Sequence, residues 1–272
     1  MECKLENASI YYETRGKGRP LLILHGAPLD HRHMLDAMEP VFEHRRGWMR
    51  IYMDLPGHGR SPVDEAVSTQ DQVLEIILAF MDEILPGRSC AVAGESRGGY
   101  LARGIAHRIP DRVDGLLLIV PGRYLAAAPE DLPAQVTLVR ADELRSGLAP
   151  DEVGRFDRLV VQSRRILEKI RAYKIPALAL ADEAFQARVN ARYEFSFDVD
   201  RPETPFGKPS LILSGRQDAV VGYRDAWKAI ECYPRATFAI LDTAGHSLAW
   251  EQEELFVALA SEWLQRVEDF GG

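Results

Sequence analysis

The residues best placed to do chemistry in this 272-residue chain are Gly94-Glu95-Ser96-Arg97-Gly98, a G-x-S-x-G pattern. The apolar run Cys90-Ala91-Val92-Ala93 precedes it, and a helix-like stretch from Tyr100 to Ile109 follows. A serine on a strand-to-helix turn of this kind sits in strained backbone with its oxygen at the tip. Glycines two places before and after let neighbouring backbone pass close by. Such an oxygen can attack a carbonyl; the bland alternative is a serine that only caps the helix behind it. The helix start adds a second resource. Its first amides lack intrahelical partners and carry partial positive charge, so the Arg97 N–H can face an oxyanion formed at Ser96.

Stepping outward, the chain must supply elements that hold this turn. Short apolar runs at 21–26, 49–56, 90–96, 113–121, 209–215 and 236–245 read as buried strands, the pattern of a parallel sheet covered on both faces. Helical spacing alternates with them. Residues 68–85 carry Val73, Ile76, Ile77, Phe80 and Ile84, with Ser68 or Thr69 as cap and Pro86-Gly87 as stop. Further helices are expected at 97–109, 223–232 and 247–267, the last with Trp250, Leu255, Leu259 and Trp263 near one face. Segments 3–7 and 9–14 suggest an antiparallel hairpin, and Gly16-Lys17-Gly18 a hairpin turn rather than a nucleotide motif. The expected fold class is α/β, a mostly parallel doubly wound sheet.

The alternation breaks between 122 and 206. This stretch is helical in pattern, best at Asp151–Tyr173 and Asp182–Tyr193, and is punctuated by Pro129, Pro133, Pro150, Pro176, Pro202 and Pro205. It is expected to be an inserted helical cap, with the core formed by 1–121 and 207–272.

The composition narrows the function classes. With 33 basic and 41 acidic side chains the net charge is −8, which argues against a general nucleic-acid binder. Three separated cysteines, Cys3, Cys90 and Cys232, suggest neither a disulfide framework nor a metal site, and Cys90 reads as a small core residue. No basic-then-apolar leader opens the chain, and no run nears the roughly 20 apolar residues that span a bilayer. The expectation is a cytoplasmic protein, monomer or homodimer, acting on a small molecule, with no nucleic-acid or membrane partner, no metal and no cofactor.

Five segments in order, HGAP, DLPGHGRS, GESRGGY, LSGRQDAVV and AGHS, resemble the α/β-hydrolase superfamily. The resemblance is to its cap-bearing serine hydrolases: esterases, lactonases, carbon–carbon bond hydrolases and proline iminopeptidases. It covers nearly the whole chain except the cap. It implies the order nucleophile, acid, histidine: Ser96, then Asp218 just past the strand 209–214, then His246 before the final helix. It also implies that the second oxyanion donor is the Ala27 amide, in His25-Gly26-Ala27-Pro28. Asp54 and Asp242 are rival acids, Asp54 having the alternative role of bonding backbone in its turn. His25, His31, His33, His44, His58 and His107 are read as solvated or locally hydrogen-bonded imidazoles.

Serine at the elbow, where haloalkane dehalogenases and epoxide hydrolases need a carboxylate, implies an acyl-enzyme. The expected activity is hydrolysis of a small carboxylic ester, thioester or lactone. The alternatives are a carbon–carbon bond hydrolase of a dienoate-type diketone and a non-catalytic ligand-binding member of the fold. Arg97 is unusual after the nucleophile. Either it presents a cation to a substrate carboxylate, or it turns away and pairs with an acid such as Glu95 or one from the cap. Tyr124, Phe156, Tyr173, Phe185, Tyr193, Phe195 and Phe197 are available to line the pocket.

Overall fold

The computed structural model describes residues 1–122 and 132–271. In chain order the first half runs β1 (Glu2–Lys4), β2 (Ser9–Arg15), β3 (Arg19–Leu24), α1 (His31–Met38), β4 (Trp48–Met53), α2 (Gln70–Ile84), β5 (Cys90–Glu95), α3 (Arg97–Arg108) and β6 (Val113–Ile119). A helical insertion follows, with α4 (Pro150–Phe156), α5 (Arg164–Lys169), α6 (Ile175–Leu178) and α7 (Glu183–Asn190). The core resumes with β7 (Ser210–Gly215), α8 (Arg224–Lys228), β8 (Ala236–Leu241), α9 (Leu248–Glu251) and α10 (Glu253–Phe270).

The eight strands form one sheet in the order β1-β2-β4-β3-β5-β6-β7-β8. From β4 to β8 all neighbours are parallel, and the antiparallel β2 and β1 extend the β4 edge. Side chains alternate between the faces. Leu22, Leu24, Val92, Leu116 and Leu118 pack with α2 and α3 through Val73, Ile77, Phe80, Leu101 and Ile105. Leu21, Ile23, Ala91, Ala93, Leu117 and Leu213 pack on the other side with Met34, Met38, Phe256, Trp263 and Leu264. Burial of both faces explains why these strands read as unbroken apolar runs. The chain leaves β3 in one direction to β4 and in the other to β5. The carboxyl ends of β3 and β5 therefore flank a switch point, where open α/β sheets leave a crevice.

Several sequence expectations are corrected here. Gly16-Lys17-Gly18 is not a hairpin turn, because β2 and β3 do not pair; β4 lies between them. The segment instead crosses the start of β4. A Cβ on Gly18 would stand 2.1 Å from the Gly47 carbonyl oxygen, and one on Gly16 2.5 Å from that of Trp48. The helix at 151–173 is broken: α4 stops at Phe156 and α5 begins only after the Ser163 cap. The last helix is also two pieces, and its buried stripe is Phe256, Ala260, Trp263, Leu264 and Val267, whereas Leu255 is exposed. The α2 cap expected at Ser68 or Thr69 is Thr69, in a reciprocal capping box with Gln72, as the sequence allows. No described helix is long and apolar enough to cross a membrane.

The insertion has a small apolar cluster of its own, Ala141, Leu144, Phe156, Leu159, Ile166, Leu167 and Ile170, completed by Trp250 from α9. Between α5 and α6 the helix widens into a π-turn, Ile170–Lys174. Tyr124 and Pro129 lie outside the described residues.

Candidate active site

Ser96 sits between β5 and α3 with φ 51° and ψ −119°, a left-handed conformation costly for any residue with a Cβ. Its hydroxyl makes no capping bond to α3, so the helix-cap role is not the one the chain adopts. The surrounding glycines are forced by backbone proximity. A Cβ on Gly98 would lie 2.4 Å from the Leu24 carbonyl oxygen, and one on Gly94 2.2 Å from that of Gly98. The turn is fixed from outside by Ser96 N–H donating to Ile119 O at 3.0 Å and Gly122 N–H donating to Ser96 O at 2.9 Å.

His246, in the loop after β8, places Nε2 3.1 Å from Ser96 Oγ. Its Nδ1 lies 2.9 Å from Asp218 Oδ2. Asp218 follows β7 and is fully buried, and its Oδ1 accepts the amides of Val220 at 2.8 Å and Val221 at 3.1 Å. Gln217 ties the two loops together, accepting the Ala244 amide on its side chain at 3.1 Å and donating its own amide to Ala244 O at 2.9 Å. Burial works against the imidazolium of His246. The charge and hydrogen bond of Asp218, with Glu95 behind, outweigh it and hold the pKa above the ordinary histidine value. The rival acids are otherwise engaged. Asp242 accepts from Gln217 Nε2 at 2.8 Å, and Asp54 accepts the His31 and Arg60 amides at 2.8 and 2.9 Å.

The loop after β3 runs against the serine: a Cβ on Gly26 would stand 3.1 Å from Ser96 Cβ. Ala27, half-buried, is the next residue of that loop, and Arg97 follows Ser96 as the first residue of α3. His25 holds this loop. Its Nε2 accepts the Leu55 amide at 2.9 Å and Nδ1 lies 2.9 Å from Gly26 O. A ring that accepts at one nitrogen and donates at the other is neutral, and burial lowers its pKa accordingly. His58 beside it is pushed down to about 3, by burial and then by His25.

The model of the family described as "Alpha/beta hydrolase family" matches residues 21–259, which include every residue of this constellation. The chain belongs to the alpha/beta hydrolase family. It is 28% identical over 257 residues to a pimeloyl-[acyl-carrier protein] methyl ester esterase of Nitrosomonas europaea, covering 92% of this chain and 98% of that protein. It is also 28% identical over 246 residues to the dihydrolipoyllysine-residue acetyltransferase component of an acetoin cleaving system from Pseudomonas putida. That match takes in 90% of this chain and only 63% of the longer relative. A crystal structure of an alpha/beta superfamily hydrolase from Oenococcus oeni PSU-1 superposes with a TM-score of 0.85 at 27% identity, over 98% of this chain and 99% of that one.

In this alpha/beta hydrolase two buried charged side chains, Glu95 and Arg97, flank the serine. Arg97 is 6% exposed, and its guanidinium donates to Asn190 Oδ1 and lies 5.2 Å from the Tyr193 ring centroid. It thus turns under the insertion, as one of the two sequence readings held, but onto an amide and a ring rather than an acid. Burial pushes its pKa down. Glu95 does not pair with it. The carboxylate of Glu95 lies 2.5 Å from His33 Nε2, which carries it below the usual carboxylate range despite burial.

His33 and His31, expected on a helical or loop surface, are corrections: both are buried, on α1, and each faces a carboxylate distant in sequence. His31 Nδ1 lies 2.7 Å from Asp54. Phe156 and Phe185 are fully buried core rather than lining, while Tyr173, Tyr193 and Phe197 are partly exposed. Sequence reasoning also missed Glu251. Its Oε2 accepts the Gly245 amide at 2.6 Å and its Oε1 the Val160 amide at 2.7 Å, joining the His246 loop to the insertion. Lys174 was missed as well. It ends the π-turn and donates to Ser247 Oγ at 2.9 Å, next to His246. Neither had a local motif to mark it.

Proposed function

We propose that this alpha/beta hydrolase cleaves a small carboxylic ester, thioester or lactone through an acyl-enzyme on Ser96. The observation that carries this reading is one imidazole bridging a strained serine hydroxyl and a buried carboxylate, at 3.1 and 2.9 Å. His246 takes the hydroxyl proton as Ser96 Oγ adds to the carbonyl carbon. Asp218, anchored by two amides, keeps the imidazole in the tautomer with a free Nε2 and stabilises the imidazolium that forms. The oxyanion receives the Ala27 and Arg97 amides, a contribution of about 100-fold or more in turnover per donor. His246 returns the proton to the leaving alcohol or thiol, and the carbonyl re-forms as an acyl ester of Ser96. Water, deprotonated by the same imidazole, then adds to that ester and releases the acid.

One comparison supports an ester-type substrate. The relative from Nitrosomonas europaea, aligned over 98% of its length, is itself a methyl ester esterase. The insertion between β6 and β7, taken as a cap over 122–206, reaches the base loop directly, since a Cβ on Gly245 would stand 2.9 Å from Val160 Cγ2. A substrate pocket under such a cap would be shaped by the cap and not by the triad.

A screen across esters of graded acyl length, thioesters, lactones and dienoates, with Ser96→Ala beside the wild type, tests this reading. Turnover within the ester, thioester or lactone set, lost in Ser96→Ala, is the expected result. Cleavage confined to dienoates, or activity that survives Ser96→Ala, would replace it.

A further inference from the structure

Lys174 is a cation with no carboxylate in salt-bridge range among the described residues. Its ammonium donates to Ser247 Oγ at 2.9 Å and lies 4.8 Å from the centroid of the Trp250 ring. The carboxylates nearest in the site are committed elsewhere. Glu95 is held by His33 at 2.5 Å, Glu251 by the amides of Gly245 and Val160, and Asp218 by His246 and two amides. Asp36 and Glu253, on α1 and α10, are taken by the neighbouring Lys169 at 2.7 and 2.9 Å. From α4 and the turn behind it, Arg155 and Arg158 add positive charge toward Lys174, and Arg155 Nε is buried without a partner.

Lys174 thus feels the charges of Glu95 and Glu251 through space, while its ammonium, on the insertion beside the imidazole, is in contact with neither. Burial and the two arginines lower the Lys174 pKa, against the pull of Glu95 and Glu251. Lys174 in turn opposes protonation of His246. A cation there disfavours the imidazolium on which acyl transfer depends. An anionic substrate group held by Lys174 would offset that penalty and give the ammonium the contacting carboxylate that the described residues do not supply. The π-turn matters to this placement, since the extra residue it admits sets where Lys174 projects, and such turns recur at functional sites.

We propose that Lys174 is a specificity-determining residue that binds a carboxylate carried by the substrate, so that half-esters of dicarboxylic acids are preferred over neutral esters. This rests on the ester-hydrolase reading above. Ser247 Oγ and the Trp250 face hold the ammonium in place, and the remaining N–H donors, which no carboxylate among the described residues takes, would bond the substrate carboxylate.

The test compares monomethyl and dimethyl esters of the diacids from succinate to pimelate, with wild type, Lys174→Met and Lys174→Arg. Wild type is expected to favour the monomethyl ester at one or two chain lengths. In Lys174→Met the ratio of kcat/KM between monoester and diester falls about 10- to 100-fold, mostly through KM, as for loss of a hydrogen bond to a charged group. Lys174→Arg restores part of that ratio. The diester serves as internal reference for any effect on folding or on the triad. Equal losses on both esters, with the kinetic pKa displaced, would reduce Lys174 to an electrostatic neighbour of His246 and overturn the proposal. Absence of monoester preference in the wild type would overturn it too. If neither ester is turned over while the wider screen still shows hydrolysis lost in Ser96→Ala, the half-ester proposal fails and the parent reading stands; if that screen is blank as well, the parent reading itself fails.

Discussion

The carboxyl rim of the sheet and the helical insertion above it are built on different terms. At the rim, position is enforced by backbone. Gly94, Gly98 and Gly215 each lie where a Cβ would come within 2.5 Å of a carbonyl oxygen, and the strands beneath are packed on both faces. In the insertion, the helices are short, one widens into a π-turn, and the cluster inside borrows Trp250 from the core. Its first half is tied to the core by polar links through Lys169, Glu251 and Arg165, while its second half adds apolar ones, Phe185, Val189 and Phe195 packing with Leu74 and Tyr100 of the α2–α3 layer. The rim is thus suited to hold a fixed triad, and the insertion to vary what reaches it.

If that contrast is right, the largest effects fall on the rim and ignore substrate identity. Ser96→Ala is expected to lower kcat by about 10⁴ to 10⁶, and Asp218→Asn by about 10⁴, on every substrate the enzyme accepts. A loss confined to one substrate class, seen in steady-state kinetics, would break the separation between rim and cap. Next come two fully buried aromatics, Trp263 under the sheet and Phe156 in the insertion. Truncation of either to Ala costs about 3–5 kcal/mol. For Trp263→Ala the cost is expected in the global denaturation midpoint. For Phe156→Ala it is expected as faster hydrogen exchange confined to 141–170, with a smaller change in the midpoint.

A subtler effect concerns pH. The base must be neutral to act, and the His246 pKa is raised, so activity is lost on acidification starting above the ordinary histidine range near pH 6.5. The kcat/KM profile should rise with pH through that midpoint. Glu95→Gln removes a charge that favours the imidazolium, and should shift the midpoint downward; an upward shift would show that Glu95 does not act on His246. The smallest effect is expected for the exposed pair Arg145–Asp157 in the insertion, where Asp157→Asn should change stability by no more than about 1 kcal/mol in thermal denaturation.

The same division explains what could be read from the sequence. The elbow was legible because the close approaches around Ser96 demand glycines, which leave a local signature. The strands were legible because burial on both faces makes them continuous. His246 and Asp218 were found through the family order and not through their own neighbours, and the distances bring both to Ser96. The pair His33–Glu95 was illegible, since nothing local links the two positions and α1, with two histidines in eight residues, carries little apolar pattern. Lys174 lies one residue past what reads as one regular helix, 151–173, and only the break at Phe156 and the π-turn set its position. Gly16-Lys17-Gly18 misled because adjacency in sequence suggested pairing, whereas β4 inserts between its flanking strands.

Labelling the intact protein with a fluorophosphonate, followed by peptide mass spectrometry, tests the central claim most directly. One adduct on the Ser96 peptide is predicted, formed far more slowly in His246→Ala and absent in Ser96→Ala. A folded wild-type protein that stays unlabelled, or carries its adduct on another residue, would contradict an activated serine and leave a ligand-binding member of the family in its place.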